Sequence, residues 1–283
     1  MSIVKGALYI VATPIGNLDD ITFRAVEVLR GVDVVAAEDT RHSKVLLDHY
    51  GIQTPCIAYH EHSERQATPK LMERLRAGQA VALISDAGTP LVSDPGYHLV
   101  AAAHSHGIRI IPIPGASAVI AALSASGLPT DRFVFEGYLP AKAAARRRRL
   151  ADMADETRTL VFFEAPHRIR ASVQDMVLTF GGERPATYAR ELTKTFETIH
   201  RDTLGGLSAR IETDSDQQRG EFVVMVQGLS EAQRDEAGGA GERMLEVLLR
   251  HVPLKSAVTI AAELSGEKKN HLYQRAVQLT HQD

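Results

Sequence analysis

Short apolar, often β-branched runs alternate with stretches whose apolar positions recur every three to four residues, and this alternation dominates the first half of the chain. ALYIVA (7–12) predicts a strand, TFRAVEVLRG (22–31) a helix ending on Gly31, and VDVVAAE (32–38) a second, buried strand. RHSKVLLDHYG (41–51) predicts a helix closed by Gly51, and TPCIAYH a short strand. ERQATPKLMERLRAG (64–78) reads as a helix with Leu71, Met72 and Leu75 on one side and Gly78 as its C-cap. AVALIS and IRIIPI add two strands around a helix near 96–106. Strands that alternate with helices imply right-handed crossovers and a mainly parallel sheet.

Around 131–140 the pattern changes. DRFVFEGYLPAK brings aromatics and a proline, AAARRRRLADMA follows, and TLVFFE (159–164) is a further strand. ATYARE, TFETIHRD and EFVVMVQG lie close together with one clear helix between the last two, which predicts a mixed sheet with antiparallel pairs. SEAQRDEAGGAGE (230–242) is polar with clustered glycines and reads as a linker. Three helix-period stretches, 242–251, 255–264 and 268–279, are separated by Pro253 and by Ser265–Gly266, a spacing like that of a helix-turn-helix. The division expected is therefore 1–131, an N-terminal α/β domain; 132–229, a second α/β domain with a mixed sheet; 230–241, a linker; and 242–283, a small helical domain.

A length of 283 residues suits two compact domains and a small third unit. No apolar stretch approaches the roughly 20 residues that span a bilayer, and MSIVKGALYIVATPIG reads as a first strand, not a signal peptide. The single cysteine, Cys56, excludes an internal disulfide and fits a reducing cytoplasm. A net charge of −3 provides no global positive field, so any nucleic acid must dock on a local patch. KAAARRRR (142–149) is the strongest such feature: Arg146, Arg147, Arg148 and Arg149 cover the circumference of a helical turn, so at least some of them can face a phosphate backbone, the alternative being a solvated helix face.

Candidate chemistry concentrates in the loops that follow strands. TPIGNLDDIT, AEDTRHS, LISDAGTPLVSDPG and IPGASA all fall where the C-terminal ends of parallel strands would converge, the usual ligand edge of such sheets. The first two read equally as helix caps. The third, with Asp86 and Asp94, is too long for a simple turn. There is no GxGxxG after a strand and no GxxxxGK[ST], so the chain lacks the dinucleotide and P-loop fingerprints. Acidic strand-end loops with open backbone suit a cationic ligand rich in hydroxyl and amino donors, and S-adenosyl-L-methionine has those properties. HEHSE (60–64) sets His60 and His62 beside Glu61, but no third ligand accompanies them, and no metal is expected.

VATPIGNLDDIT, AAEDTRHSKVLL, ISDAGTPLVSDPG, IPGASA, FFEAPHR, ARELTKTFE and GEFVVMV occur in this order. Together they resemble the tetrapyrrole-methylase-like methyltransferases, in particular their RNA-modifying branch. TPIGN carries Thr13 and Ile15 where porphyrin-methylating relatives have a glycine-richer loop. The resemblance implies two α/β domains with S-adenosylmethionine in the cleft between them, a homodimer, and methylation of the 2′-hydroxyl of a cytidine in the 16S rRNA of the 30S subunit. Carried over residue by residue, it implies cofactor contacts from Pro14, Asp86, Ala87, Gly88, Pro114, Gly115, Ala116, Ser117, Phe163, Leu192, Glu221 and Phe222. A ribose hydroxyl is weakly acidic, so a base is expected; Asp39 and Glu164 are the candidate acceptors, with Arg41, Arg168 and Lys194 as phosphate holders. A corrin or porphyrin methyltransferase and a non-catalytic RNA-binding protein remain the alternative readings at this point.

Overall fold

The computed structural model describes residues 2–230 and 240–280. Five strands, β1 (Leu8–Val11), β2 (Val34–Ala37), β3 (Cys56–Ala58), β4 (Val81–Ile84) and β5 (Ile110–Ile113), form one sheet in the order β3-β2-β4-β1-β5. Every pairing in it is parallel. β2 and β4 are buried at every position, because helices cover both faces of the sheet. Helices α1 (Phe23–Gly31) and α2 (Thr40–His49) pack on one face through Ala25, Val28, Leu29 and Leu47. Helices α3 (Glu64–Arg76) and α4 (Tyr97–Ser105) pack on the other through Leu71, Leu75, Leu99 and Ala103. Helices α1 and α2 start where side chains cap them: Thr22 Oγ1 accepts from Ala25 N, and Asp39 accepts from Arg41 N and His42 N. Gly78, just beyond α3, has φ +83°, the left-handed turn that ends a helix most cheaply with glycine.

Helix α5 (Ala118–Ala125) follows β5 and leads to a second sheet of β6 (Phe133–Tyr138), β7 (Thr159–Glu164), β8 (Pro185–Arg190), β9 (Thr198–Thr203) and β10 (Phe222–Val226). Its order is β6-β7-β10-β8-β9; β6 and β7 are parallel and the remaining neighbours antiparallel. One face carries α6 (Ala143–Ala151), α7 (Ile169–Phe180) and α8 (Leu204–Thr213), through Leu150, Met176 and Leu207 among others. The other face receives α5. Two of these elements exceed what the hydrophobic pattern predicts. β6 contains a bulge between Phe135 and Gly137, which interrupts its alternation, and α7 occupies the stretch after FFEAPHR.

Three further helices, α9 (Ala240–Leu249), α10 (Leu254–Ser265) and α11 (Lys269–Thr280), enclose their own core of Leu245, Ala257, Val258, Ala261, Leu272 and Ala276. Gly266, with φ +74°, closes α10. The expected linker falls mostly on 231–239, outside the described residues, and α9 already begins at Ala240.

The arginine run forms α6, and the structure corrects one part of its reading. Arg146 points inward: its Nε lies 2.7 Å from Asp175 Oδ2 on α7, with 6% and 8% of the two side chains exposed. Its Nη1 also donates to the Ala141 carbonyl at 3.3 Å. A side chain held this way offers nothing to a phosphate. Arg147 reaches the same carboxylate from the surface at 3.2 Å. Removing the inner partner leaves a buried carboxylate poorly compensated, so Arg146→Ala is expected to cost about 3 kcal/mol, whereas Arg147→Ala, an exposed partner, should cost under about 1 kcal/mol. Urea unfolding of the two variants checks this, and equal costs would show that Arg146 is not the inner clamp.

Candidate functional site

The C-terminal ends of the parallel strands are stitched to one another by backbone. After β1, Thr13 N donates to the Gly88 carbonyl at 2.9 Å and Gly88 N returns the bond to Thr13 O at 3.0 Å. The loop after β4 in turn meets the loop after β5, where Thr89 Oγ1 donates to the Ala116 carbonyl at 3.1 Å. Close approach at this seam needs glycine: a Cβ on Gly115 would stand 2.8 Å from the Ala12 Cβ. The far end of the long β4–α4 loop is pinned by Glu64 on α3, whose Oε1 accepts from Gly96 N and His98 N, each at 3.1 Å.

Opposite these loops stands the second sheet, and between the two lies a cleft of about 280 Å3. Its first wall includes Asp86, Ala87, Gly88 and Ser117; its second includes Phe163, Leu192, Glu221, Phe222 and Lys194. Nine residues expected from the sequence are thus brought around one space. Pro114, Gly115 and Ala116 instead line an adjoining, more open apolar groove of about 700 Å3 that shares Ser117, and Pro14 lines neither. Lys194 Nζ is held 2.9 Å from both Glu191 and Glu221, and its stem lies over Gly16, where a Cβ would come within 2.5 Å of Lys194 Cγ. Burial disfavours the Lys194 charge, but the bonds to the two carboxylates outweigh it and hold its pKa above the ordinary value.

The first wall is strongly acidic. Glu38 Oε2 accepts from Asp86 N at 3.3 Å, and Asp86 Oδ1 accepts from Asp39 N at 3.0 Å, so the ends of β2 and β4 hold each other through carboxylates. Asp94 completes the group. Burial, together with the charges of Glu38 and Asp86, pushes its carboxyl up to about 6. Burial also raises Glu38, with Asp86 and Asp39 adding to the effect. The sequence places Glu38 and Asp94 in the candidate loops AEDTRHS and LISDAGTPLVSDPG but assigns neither a role of its own. Tyr138, also on the cleft, escaped notice because it follows the β6 bulge.

Both candidate proton acceptors have other duties. Glu164 is buried; its carboxylate accepts from Ser172 Oγ and from Ala165 N, and Arg168 Nε lies 3.1 Å away. It lines no part of the cleft, and Arg168, which also donates to the Leu139 carbonyl, is turned inward with it. Asp39 caps α2, and the hydrogen bonds from the Arg41 backbone and guanidinium hold its carboxyl below the usual range, which makes it a weak base. Glu164 and Arg168 therefore face away from the cleft in this structure, and Asp39 is engaged as a helix cap. Arg41 remains on the surface with 92% of its side chain exposed. Arg148 is exposed on α6, and Arg149 is bound to Glu136 at 3.1 Å. His60 Nδ1 accepts from Ser63 N in the turn before α3.

The family of Tetrapyrrole (Corrin/Porphyrin) Methylases matches residues 7–208, most of both sheets. The chain belongs to the tetrapyrrole methylase family. A second match, to the RsmI C-terminal HTH domain, covers residues 235–280. The methylase chain is 58% identical over 274 residues to ribosomal RNA small subunit methyltransferase I of Pseudomonas aeruginosa, covering 96% of this chain and 97% of that protein. It is 50% identical to the protein of the same name in Escherichia coli O157:H7, covering 97% and 96%. At such identity along nearly its whole length it stands among the ribosomal RNA small subunit methyltransferase I proteins. Solved structures share its fold at low identity. A cobalt precorrin-4 methyltransferase superposes with a TM-score of 0.59 at 19% identity, covering 78% of this chain and 95% of that one. A uroporphyrin-III C-methyltransferase of Thermus thermophilus, complexed with S-adenosyl homocysteine, superposes with 0.55 at 18%, covering 77% and 96%.

The cleft's chemistry fits a cationic nucleoside. Carboxylates at the ends of β2 and β4 would suit a positive group, and Phe163, Leu192 and Phe222 would give a flat ring an apolar bed. Asp86→Ala removes one of those carboxylates along with its hold on Asp39 N. Loss of a charge-assisted contact predicts roughly 10- to 100-fold weaker binding of S-adenosylmethionine by calorimetry. An unchanged affinity would locate the ligand elsewhere.

Proposed function

We propose that this chain transfers the methyl group of S-adenosylmethionine to the 2′-hydroxyl of a cytidine in 16S rRNA, acting on the small ribosomal subunit. The observation that carries this reading is full-length identity of 50–58% to proteins named for small-subunit rRNA methylation, cleft and C-terminal helical unit included. When bound, S-adenosylmethionine supplies an electrophilic methyl carbon, so the protein's work is positioning, exclusion of water and handling of one proton. Asp86 and Glu38 stand at the charged end of the cleft. Phe163, Leu192 and Phe222 supply its apolar end, and the Thr13–Gly88 and Thr89–Ala116 bonds fix the loops that carry the first wall.

RNA reaches the cleft across the C-terminal edge of the first sheet. Arg41, exposed at the start of α2 beside Asp39, and Arg147 and Arg148, exposed on α6, are cations within reach of phosphates, with Lys194 at the cleft itself. The reading includes a homodimer, supported by the apolar groove beside the cleft, where Ile120 and Phe133 are exposed. It also includes a cytoplasmic location, supported by the free thiol of Cys56. Among the described residues no helix is long and apolar enough to cross a membrane.

Incubation of small ribosomal subunits with methyl-labelled cofactor, followed by mapping of the labelled nucleotide and its resistance to alkaline cleavage, tests the reading. Label on a ribose oxygen of one cytidine is expected; label on a base, or none, would overturn it. Replacing Arg147 and Arg148 together with Ala should weaken RNA binding and lower the slope of log affinity against log salt by about 1.4–1.8, the loss expected for two phosphate contacts. S-adenosylmethionine affinity should not change. An unaltered salt slope would mean that α6 faces solvent only.

A further inference from the structure

Two irregular stretches meet at the cleft. In the β4–α4 loop, Leu91 and Ser93 both have left-handed backbone, with φ of +73° and +69°, although neither is glycine. Facing them, β6 is bulged at Glu136, and Gly137 has φ +66°. The two pack tightly: Ser93 Oγ stands 3.1 Å from where a Gly137 Cβ would be. Left-handed non-glycine residues are disfavoured and persist where the surroundings enforce them, commonly at functional sites. The residue immediately after each irregularity, Asp94 on one side and Tyr138 on the other, lines the cleft.

The three carboxylates of the first wall are not equivalent. One oxygen of Glu38 is engaged by Asp86 N and one of Asp86 by Asp39 N, so both serve to join strand ends. Asp94 lies beside Ser85, whose hydroxyl donates to the Ala87 carbonyl at 3.4 Å, and its carboxylate joins no pair of strand ends as those of Glu38 and Asp86 do. Glu38 and Asp86 face it from the ends of β2 and β4, Tyr138 faces it from β6, and Lys194 and Glu221 stand on the opposite wall.

We propose that Asp94 is the catalytic base that takes the proton from the substrate hydroxyl, the role for which sequence reasoning offered Asp39 and Glu164. The inference rests on the proposed methylation of a ribose oxygen. As that oxygen bonds to the methyl carbon, its O–H bond breaks toward the Asp94 carboxylate, and the electron pair of the methyl–sulfur bond remains on sulfur. A carboxylate, an alcohol and a sulfonium become a carboxylic acid, an ether and a thioether, with net charge zero on both sides. The surrounding carboxylates favour this outcome, because the proton on Asp94 replaces the positive charge that the sulfonium loses. A carboxyl pushed up to about 6 is ionised at neutral pH and is a stronger base than an ordinary aspartate.

The test uses the full-length protein and its Asp94→Asn variant. The variant should bind S-adenosylmethionine within about threefold of wild type by calorimetry, while single-turnover methylation of small ribosomal subunits falls by about 10²–10⁴. The wild-type rate should decline as pH drops through about 6, where Asp94 becomes protonated, and the variant should lack that limb. Independently of turnover, carbon-13 spectra of carboxyl-labelled aspartate should contain one resonance titrating near 6 that is missing from the variant. A variant with wild-type rate and pH limb, or with cofactor binding lost, overturns the assignment. If Asp94→Asn does not fold, Ser85→Ala decides: losing the hydroxyl that favours the charged carboxylate should move the acid limb to higher pH, and an unmoved limb counts against Asp94. Mapping of the wild-type product reports separately on the underlying reading, because label on a base would refute ribose methylation whatever the variants do.

Discussion

The geometry of the cleft depends on one packing contact, the seating of α5 on the second sheet. Val119, Ala122 and Leu123 of α5, together with Leu128 beyond it, pack against Val161, Ala189, Val223 and Met225 from three central strands. α5 begins at Ser117, whose side chain caps it, and Ser117 belongs both to the cleft and to the groove beside it. The helix is therefore anchored at one end in the stitched loops of the first sheet and along its length on the second. Its alanines allow the close approach; larger residues would lift the two walls apart. Because folded interiors are close-packed, a shift at this contact is transmitted to the walls and not absorbed.

The loops of the cleft are further stiffened by backbone that few residues adopt freely. Glu191 and Thr193 on the second wall have φ of +51° and +65°, mirroring Leu91 and Ser93 on the first. Local bonds hold them there: Glu191 Oε1 accepts from Glu221 N at 2.9 Å, and Glu197 Oε2 accepts from Thr193 N at 2.7 Å. The same Glu191 holds Lys194, so the conformation of the loop and the position of its cation are set together. Charge and strain thus act on the same few residues, as they do in the acidic loop across the cleft.

The succession of strands and helices in the first sheet was legible because its inner strands β2 and β4 are buried at every position and the helices packed on them carry one apolar side, the two patterns that periodicity reports. The second sheet was legible in kind but not in full. Gly137 and the bulge beside it break the alternation that would have marked β6 as a strand. The site was legible as a set of loops, since strand-end loops in a parallel sheet must share an edge. The division of labour among its charged groups was not. Asp39, Glu164 and Asp94 are all carboxylates near strand ends, and only coordinates reveal that the first is spent on a helix cap and the second on Ser172, Ala165 and Arg168. Likewise, four consecutive arginines do not declare which one turns inward until the position of Asp175 is known.

The position of β1 in its sheet bears on how the chain is made. β1 lies between β4 and β5, pairing Leu8 with Val81 and with Ile110, so neither neighbour exists until much of the first sheet has been synthesised. At translation rates of about 5–20 residues per second, a gap on the order of 100 residues leaves the apolar run Leu8–Val11 without its partners for roughly 5–20 seconds. During that interval an apolar run that ends up buried in the middle of the sheet is exposed to solvent, so the first sheet closes around its own N-terminal strand only late in synthesis.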